Sequence, residues 1–203
     1  MSSSTRSKCA DAATLRADAR TVGALMLAAL LALVAHMQAS IASTLPVAPD
    51  HVRRHIDDAR PSGSGRLTWY GFHVYDARMF VPRNFNPSNP AAQPFALEIT
   101  YARSLEGRAI AERSRDEIAR LGLGSDAQRQ RWLADMVALF PDVKSGQQLV
   151  GIYRPGSSTR FYVDGGLLGE VTDPEFGRAF FAIWLDPRTS APQLRANLLP
   201  APH

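Results

Sequence analysis

Two short turn sequences, RPGSS at residues 154–158 and DGG at 164–166, divide Gln148 to Val171 into three strand-like segments, Gln148–Tyr153, Thr159–Asp164 and Leu167–Val171. A parallel crossover needs a dozen or more residues, so links this short can only join antiparallel neighbours. Phe95–Ala102 adds a strictly alternating strand, with Phe95, Leu97, Ile99 and Tyr101 on one face and Ala96, Glu98, Thr100 and Ala102 on the other. Arg66–Val81, rich in aromatic and β-branched residues, reads as one long strand or as two separated at Gly71. Between these regions PRNFNPSNPAAQP, with four prolines, is a loop.

Helical signals fill the gaps between the strand groups. Ser104 is the expected cap of a helix that runs to Leu121 and stops at Gly122. Ser125 with Gln128 forms a capping box ahead of a second helix, whose Leu133, Met136, Val137 and Phe140 make an apolar stripe. Asp173 and Pro174 open a third helix through EFGRAFFAIWL, and Ser190 is the expected cap of a last one, APQLRANLL. The order is strands, two helices, strands, two helices, with no βαβ alternation and no internal repeat. An α+β fold follows, an antiparallel sheet covered by a helical layer.

The N-terminus is expected to lie outside that fold. Arg6, Lys8, Arg16 and Arg20 precede the apolar run VGALMLAALLALVA and then QASIAS. This is the pattern of a secretory signal peptide, and the run is shorter than the ~20 residues a membrane span needs. Cleavage after Ala42 makes residues 1–42 the signal peptide, 43–64 a flexible lead-in and 65–200 the domain, with a periplasmic location. Of 23 basic and 19 acidic residues, the leader removes those four basic ones and Asp11 and Asp18, leaving 19 and 17, a net charge near +2. That balance is no nucleic-acid footprint. The only cysteine, Cys9, leaves with the leader, so disulfides, thiol nucleophiles and thiolate metal sites are excluded from the exported chain. A membrane is expected as a partner only through an uncleaved leader.

Three stretches, WYGFHVYDARMF, SLEGRAIAERSRDEI and STRFYVDGGLLGEVTDPEFGRAFFAIWLDPRTS, resemble the chalcone isomerase-like family, particularly its exported bacterial branch. The resemblance spans about Gly65 to Leu199. It implies an open-faced sandwich whose sheet and helical layer enclose a cleft for a flat or elongated apolar ligand. The family includes plant enzymes that close a chalcone to a flavanone and non-catalytic relatives that bind fatty acids. Aligned on Gly107 and Arg108, the catalytic tyrosine of the plant enzymes falls on Ile110 and an asparagine on Glu117. Ile110 has no proton to donate, and Glu117 would repel a phenolate. The resemblance therefore implies a domain that binds a small amphipathic or fatty-acid-like ligand without turning it over, and no cofactor. An isomerase or lyase acting on an aromatic ketone in the same cleft is the competing class.

Candidate ligand contacts are Tyr70, Arg78, Tyr101, Arg103 and Phe180. In a regular strand Phe72, Val74, Asp76 and Arg78 share one face, and His73, Tyr75, Ala77 and Met79 the other. Arg78 then either pairs with Asp76 or lies at the cleft floor, where its guanidinium fork matches a carboxylate head group. Arg103 is a second such cation or a solvated strand end. Phe180 joins Tyr70 and Tyr101 as aromatic lining, while Phe181 and Trp184 are expected in the core. Trp132 is expected either in the core or as a shield at a pocket mouth. His51 and His55, four apart, lack the acidic partner of a metalloprotease helix; they are read as solvated, and no metal or catalytic residue is assigned.

Overall fold

The computed structural model describes residues 47–199, and the expected leader and His203 lie outside the described residues. Six strands run in the order of the sequence: β1 (Arg60–Trp69), β2 (Phe72–Val81), β3 (Phe95–Tyr101), β4 (Gln148–Tyr153), β5 (Thr159–Val163) and β6 (Gly166–Val171). All neighbours pair antiparallel. A short helix, α1 (Asp50–Arg53), precedes the sheet; α2 (Gly107–Arg120) and α3 (Asp126–Leu139) join β3 to β4; α4 (Pro174–Leu185) and α5 (Pro192–Leu198) follow β6. The architecture is the expected α+β sheet with a helical layer.

The alternation of β3 decides the two faces. Phe95, Leu97, Ile99 and Tyr101 point into a large core with Ala77, Met79, Leu149 and Phe161, closed by Phe176, Phe180 and Phe181 of α4 and Ile118 of α2. Ala96, Phe80, Val150, Ile152 and Tyr162 point the other way and are covered by Val52 and Ile56 around α1. Covering of this kind on both faces explains why the end of β2 (Met79–Val81) and most of β4 (Leu149–Tyr153) are apolar and buried on both sides. The helical layer approaches closely where glycines permit it. A Cβ on Gly63 would lie 2.0 Å from the Asn197 carbonyl oxygen, so α5 rests directly on β1.

Several boundaries differ from the sequence reading. The lead-in does not extend to Ser64: α1 docks on the back face, and β1 already begins at Arg60. Ser104 does not cap α2, which starts only at Gly107: Leu105 first forms an isolated antiparallel bridge with Val143, and the Asp142 side chain accepts from Gly107 N at 2.9 Å. Ser190 does not cap α5, which starts at Pro192, while Thr189 Oγ1 accepts from Ala191 N. For α2 the substitute comes from a loop 35 residues away, a tertiary effect that local capping rules do not see, whereas for α5 it is a local turn contact from Thr189, one residue before Ser190. The Ser125–Gln128 capping box and the Asp173–Pro174 start stand as read.

Candidate functional site

A cleft of about 810 Å³ opens between the front of the sheet and helices α2, α4 and α5. Its floor crosses the strands. Leu67 of β1 and Tyr75 of β2 lead to Tyr101 and Ile99 of β3, then Leu149 and Gly151 of β4 and Phe161 of β5. From β2 to β5 the floor extends three strand spacings, about 14 Å. Phe180, Phe181, Ile183 and Trp184 of α4 form the roof, and one face of α2 presents Ile110, Arg113, Ser114 and Glu117 at i, i+3, i+4 and i+7.

A β-bulge sets the polar end of this floor. Thr68 faces His73 and Leu67 faces Tyr75, so Val74 is the extra residue and the alternation resets there. Val74 and Tyr75 both line the cleft, while His73 moves to the back with Asp76. Regular alternation would have placed Tyr75 with His73, away from Val74.

Tyr75 accepts a hydrogen bond from Trp184 Nε1 at 2.8 Å, which leaves its own proton free to donate. Burial pushes its phenol up to about 12, against the pull of the Trp184 N–H. Tyr101 meets Tyr75 edge to face at 6.3 Å, and burial raises its phenol further. At neutral pH both are protonated hydrogen-bond donors rather than bases.

Charge collects at the same end. Glu117, buried in α2, accepts from Arg113 and, at 2.8 Å, from Arg120 Nε. Arg113 also lies over the Trp69 ring at 5.2 Å, and Arg103 over Phe72 at 5.9 Å. Arg66 is held by Asp76, with Nε 2.8 Å from Oδ1. Three guanidiniums and one carboxylate thus line the cleft, and adding the partners Asp76 and Arg120 leaves four cations against two anions. Among the described residues Arg103 has no carboxylate within ion-pair distance.

Of the five candidate contacts, the cleft brings together Tyr70, Tyr101, Arg103 and Phe180. Arg78 is corrected: it lies on the back face beside its cross-strand neighbour Glu98, 3.8 Å away, and Asp76 pairs with Arg66 instead. The pleat decides this, because Ala77 and Met79 on either side of Arg78 point into the front core. Phe181 and Trp184, read as core, line the cleft as well as being buried. Trp132 sits in the core, donating to Asp173 at 2.8 Å. His51 is buried and His55 half-buried, rather than both solvated. His51 stacks on Tyr162 at 4.9 Å, and His55 Nε2 lies 2.8 Å from the Tyr162 hydroxyl. Among the described residues no group of three or more His, Cys, Asp or Glu side chains is placed to hold a metal. Sequence reasoning missed Arg66, Tyr75 and Arg113. For Arg113 a signal existed, since it lies one turn from Ile110 on the helix face that Glu117 shares.

Comparison with known proteins agrees with this architecture. Residues 62–200 match the chalcone isomerase-like family model. An uncharacterized protein of Haemophilus influenzae is 32% identical over 140 residues, covering 69% of this chain and 67% of that protein. The solved structure of a fatty-acid binding protein from Arabidopsis thaliana superposes with a TM-score of 0.56 at 14% identity, covering 70% of this chain and 87% of its own. At that identity the likeness is one of fold. This chain belongs to the chalcone isomerase-like family.

Proposed function

We propose that the domain is exported to the periplasm and binds a fatty-acid-like amphipathic anion in the cleft without transforming it. The observation that carries this reading is the polarity gradient along the floor. Phenols and guanidiniums gather at the β1–β2 end, and only apolar side chains follow toward Phe161. A volume of about 810 Å³ lies within the range of about 300–1,000 Å³ typical of small-molecule sites. Each methylene buried among Ile99, Leu149, Phe161 and Phe180 contributes ~0.8 kcal/mol, so the chain supplies affinity and the charged end supplies orientation. The excess positive charge at that end suits a carboxylate. Ile110, which the sequence resemblance aligns with the proton-donating tyrosine of the plant enzymes, lines the cleft, and this supports binding over cyclisation. The relationship to a fold that also serves a fatty-acid binding protein is consistent with this reading.

Mass spectrometry on protein from the native host's periplasmic fraction tests both halves. Under native conditions the expected spectrum contains a lipid adduct that dissociates on activation. Under denaturing conditions the expected mass begins at Ser43. A mass that retains the apolar run sinks the export reading, and an adduct-free spectrum that added fatty acid does not change sinks the binding reading.

A further inference from the structure

The turn joining β1 to β2 has no explanation in the packing of the fold. Tyr70 and Gly71 take φ of +48° and +81°, the two left-handed positions of a two-residue hairpin loop, with Trp69 and Phe72 paired across it. The β5–β6 turn has the same geometry with Asp164 and Gly165, at +45° and +82°, a pair well suited to it. Tyrosine is ill suited to that first position, because its side chain crowds the backbone there. It gains little burial in return: Tyr70 is 86% exposed, Phe72 65% and Trp69 52%. Tyr70 touches Trp69 edge to face at 5.1 Å. Three aromatic residues within four positions, arranged around Gly71, form the most exposed apolar feature of the described residues.

We propose that this tip is a docking surface for an anionic phospholipid bilayer, placed at the cleft mouth so that ligand passes between membrane and cleft without crossing water. Residues 69, 70 and 72 line the cleft while remaining more than half exposed, which identifies this end as the opening. Trp and Tyr, with an apolar ring and a polar atom, favour the depth of lipid head groups. The charges around the tip complement an anionic surface. Arg103 lies over Phe72 and Arg113 over Trp69, with Arg66 nearby, while the carboxylates beside them, Asp76 and Glu117, are each already held by arginine. Basic groups next to a bilayer are drawn to anionic lipid within a Debye length. Among the described residues no helix is long and apolar enough to cross a membrane, so the contact is interfacial. The bilayer contact does not depend on what the cleft holds and so goes beyond the binding reading, while the passage of ligand from membrane to cleft rests on that reading.

Co-sedimentation with vesicles of equal parts phosphatidylcholine and phosphatidylglycerol tests it, using ligand-free mature protein. The protein is expected to partition onto these vesicles, to release at high salt, and to bind pure phosphatidylcholine at least tenfold more weakly. Trp69 fluorescence should shift to the blue on binding, since Trp132 and Trp184 are already buried. The variant Trp69→Ser, Tyr70→Asn, Phe72→Ser is expected to lose at least tenfold in partition. Tyr70→Asn alone, which suits the left-handed position, is expected to weaken partition while raising the melting temperature. Absence of partition by the wild type, or partition that the triple variant keeps, overturns the proposal. So does a triple variant that loses fatty-acid affinity but not vesicle binding, which would make the tip a lid.

Discussion

Arg78 and Glu98 show how one carboxylate is held on the wrong side of the sheet for binding and at some cost to the fold. Burial raises the Glu98 carboxyl above its usual range, and the Arg78 guanidinium 3.8 Å away only partly opposes this. Because the folded pKa is raised, the ionised group is a burden once pH exceeds it, and that burden is present at neutral pH. Arg78 is half-exposed, so removing the carboxylate strands no buried charge. Glu98→Gln is therefore expected to leave the melting temperature at pH 7 unchanged or raise it by a few degrees, with the gain shrinking toward pH 4. A loss of several degrees at pH 7 contradicts this. The alternation of β3 and the residues flanking Arg78 were legible in the sequence, so the back-face position of Arg78 followed from the pleat once the core face of β2 was known. The reset at Val74 was not legible, because a bulge depends on how β1 meets β2.

Elements closed by local signals were legible, and those closed by distant partners were not. The capping box of α3 and the Asp-Pro start of α4 could be read because cap and helix lie within four residues of each other. Helix α1 could not, because four residues have no intrinsic stability and its position comes from Val52, Ile56 and the stack of His51 on Tyr162. That contact carries a pH dependence. Burial depresses His51 and His55, reinforced by Arg54 for His51 and by Arg160, Arg154 and Arg54 for His55, while Asp50 opposes it at His51. A histidine that resists protonation when folded favours the unfolded chain as pH falls through about 6.5. The melting temperature is expected to drop between pH 7.5 and pH 5.5, and His51→Phe, which keeps the stack, is expected to flatten that slope. An unchanged slope in this variant would remove His51 from the account.

At the scale of the molecule, the fold divides labour between its two faces. The back is closed by α1, and the front is held partly open because α2, α4 and α5 roof a floor they do not fill. The antiparallel order and the helical layer were written in turn spacing and caps, whereas the cleft arises from how distant elements fail to meet. Four of five candidate contacts reached it, since aromatic residues and a strand-end arginine mark it locally, but Tyr75 and Arg113 entered through the bulge and a helix face. The central claim is that this cleft prefers an amphipathic anion with its charged end near the arginines. Calorimetric titration of dodecanoic acid and dodecanol into wild type and the Arg103→Ala, Arg113→Ala double variant measures this directly. The acid is expected to saturate one site and bind more tightly than the alcohol in the wild type. The double variant should lose at least tenfold for the acid, about 1.4 kcal/mol, with little change for the alcohol. Failure of either ligand to saturate the wild type, or equal losses for acid and alcohol in the variant, would contradict the account.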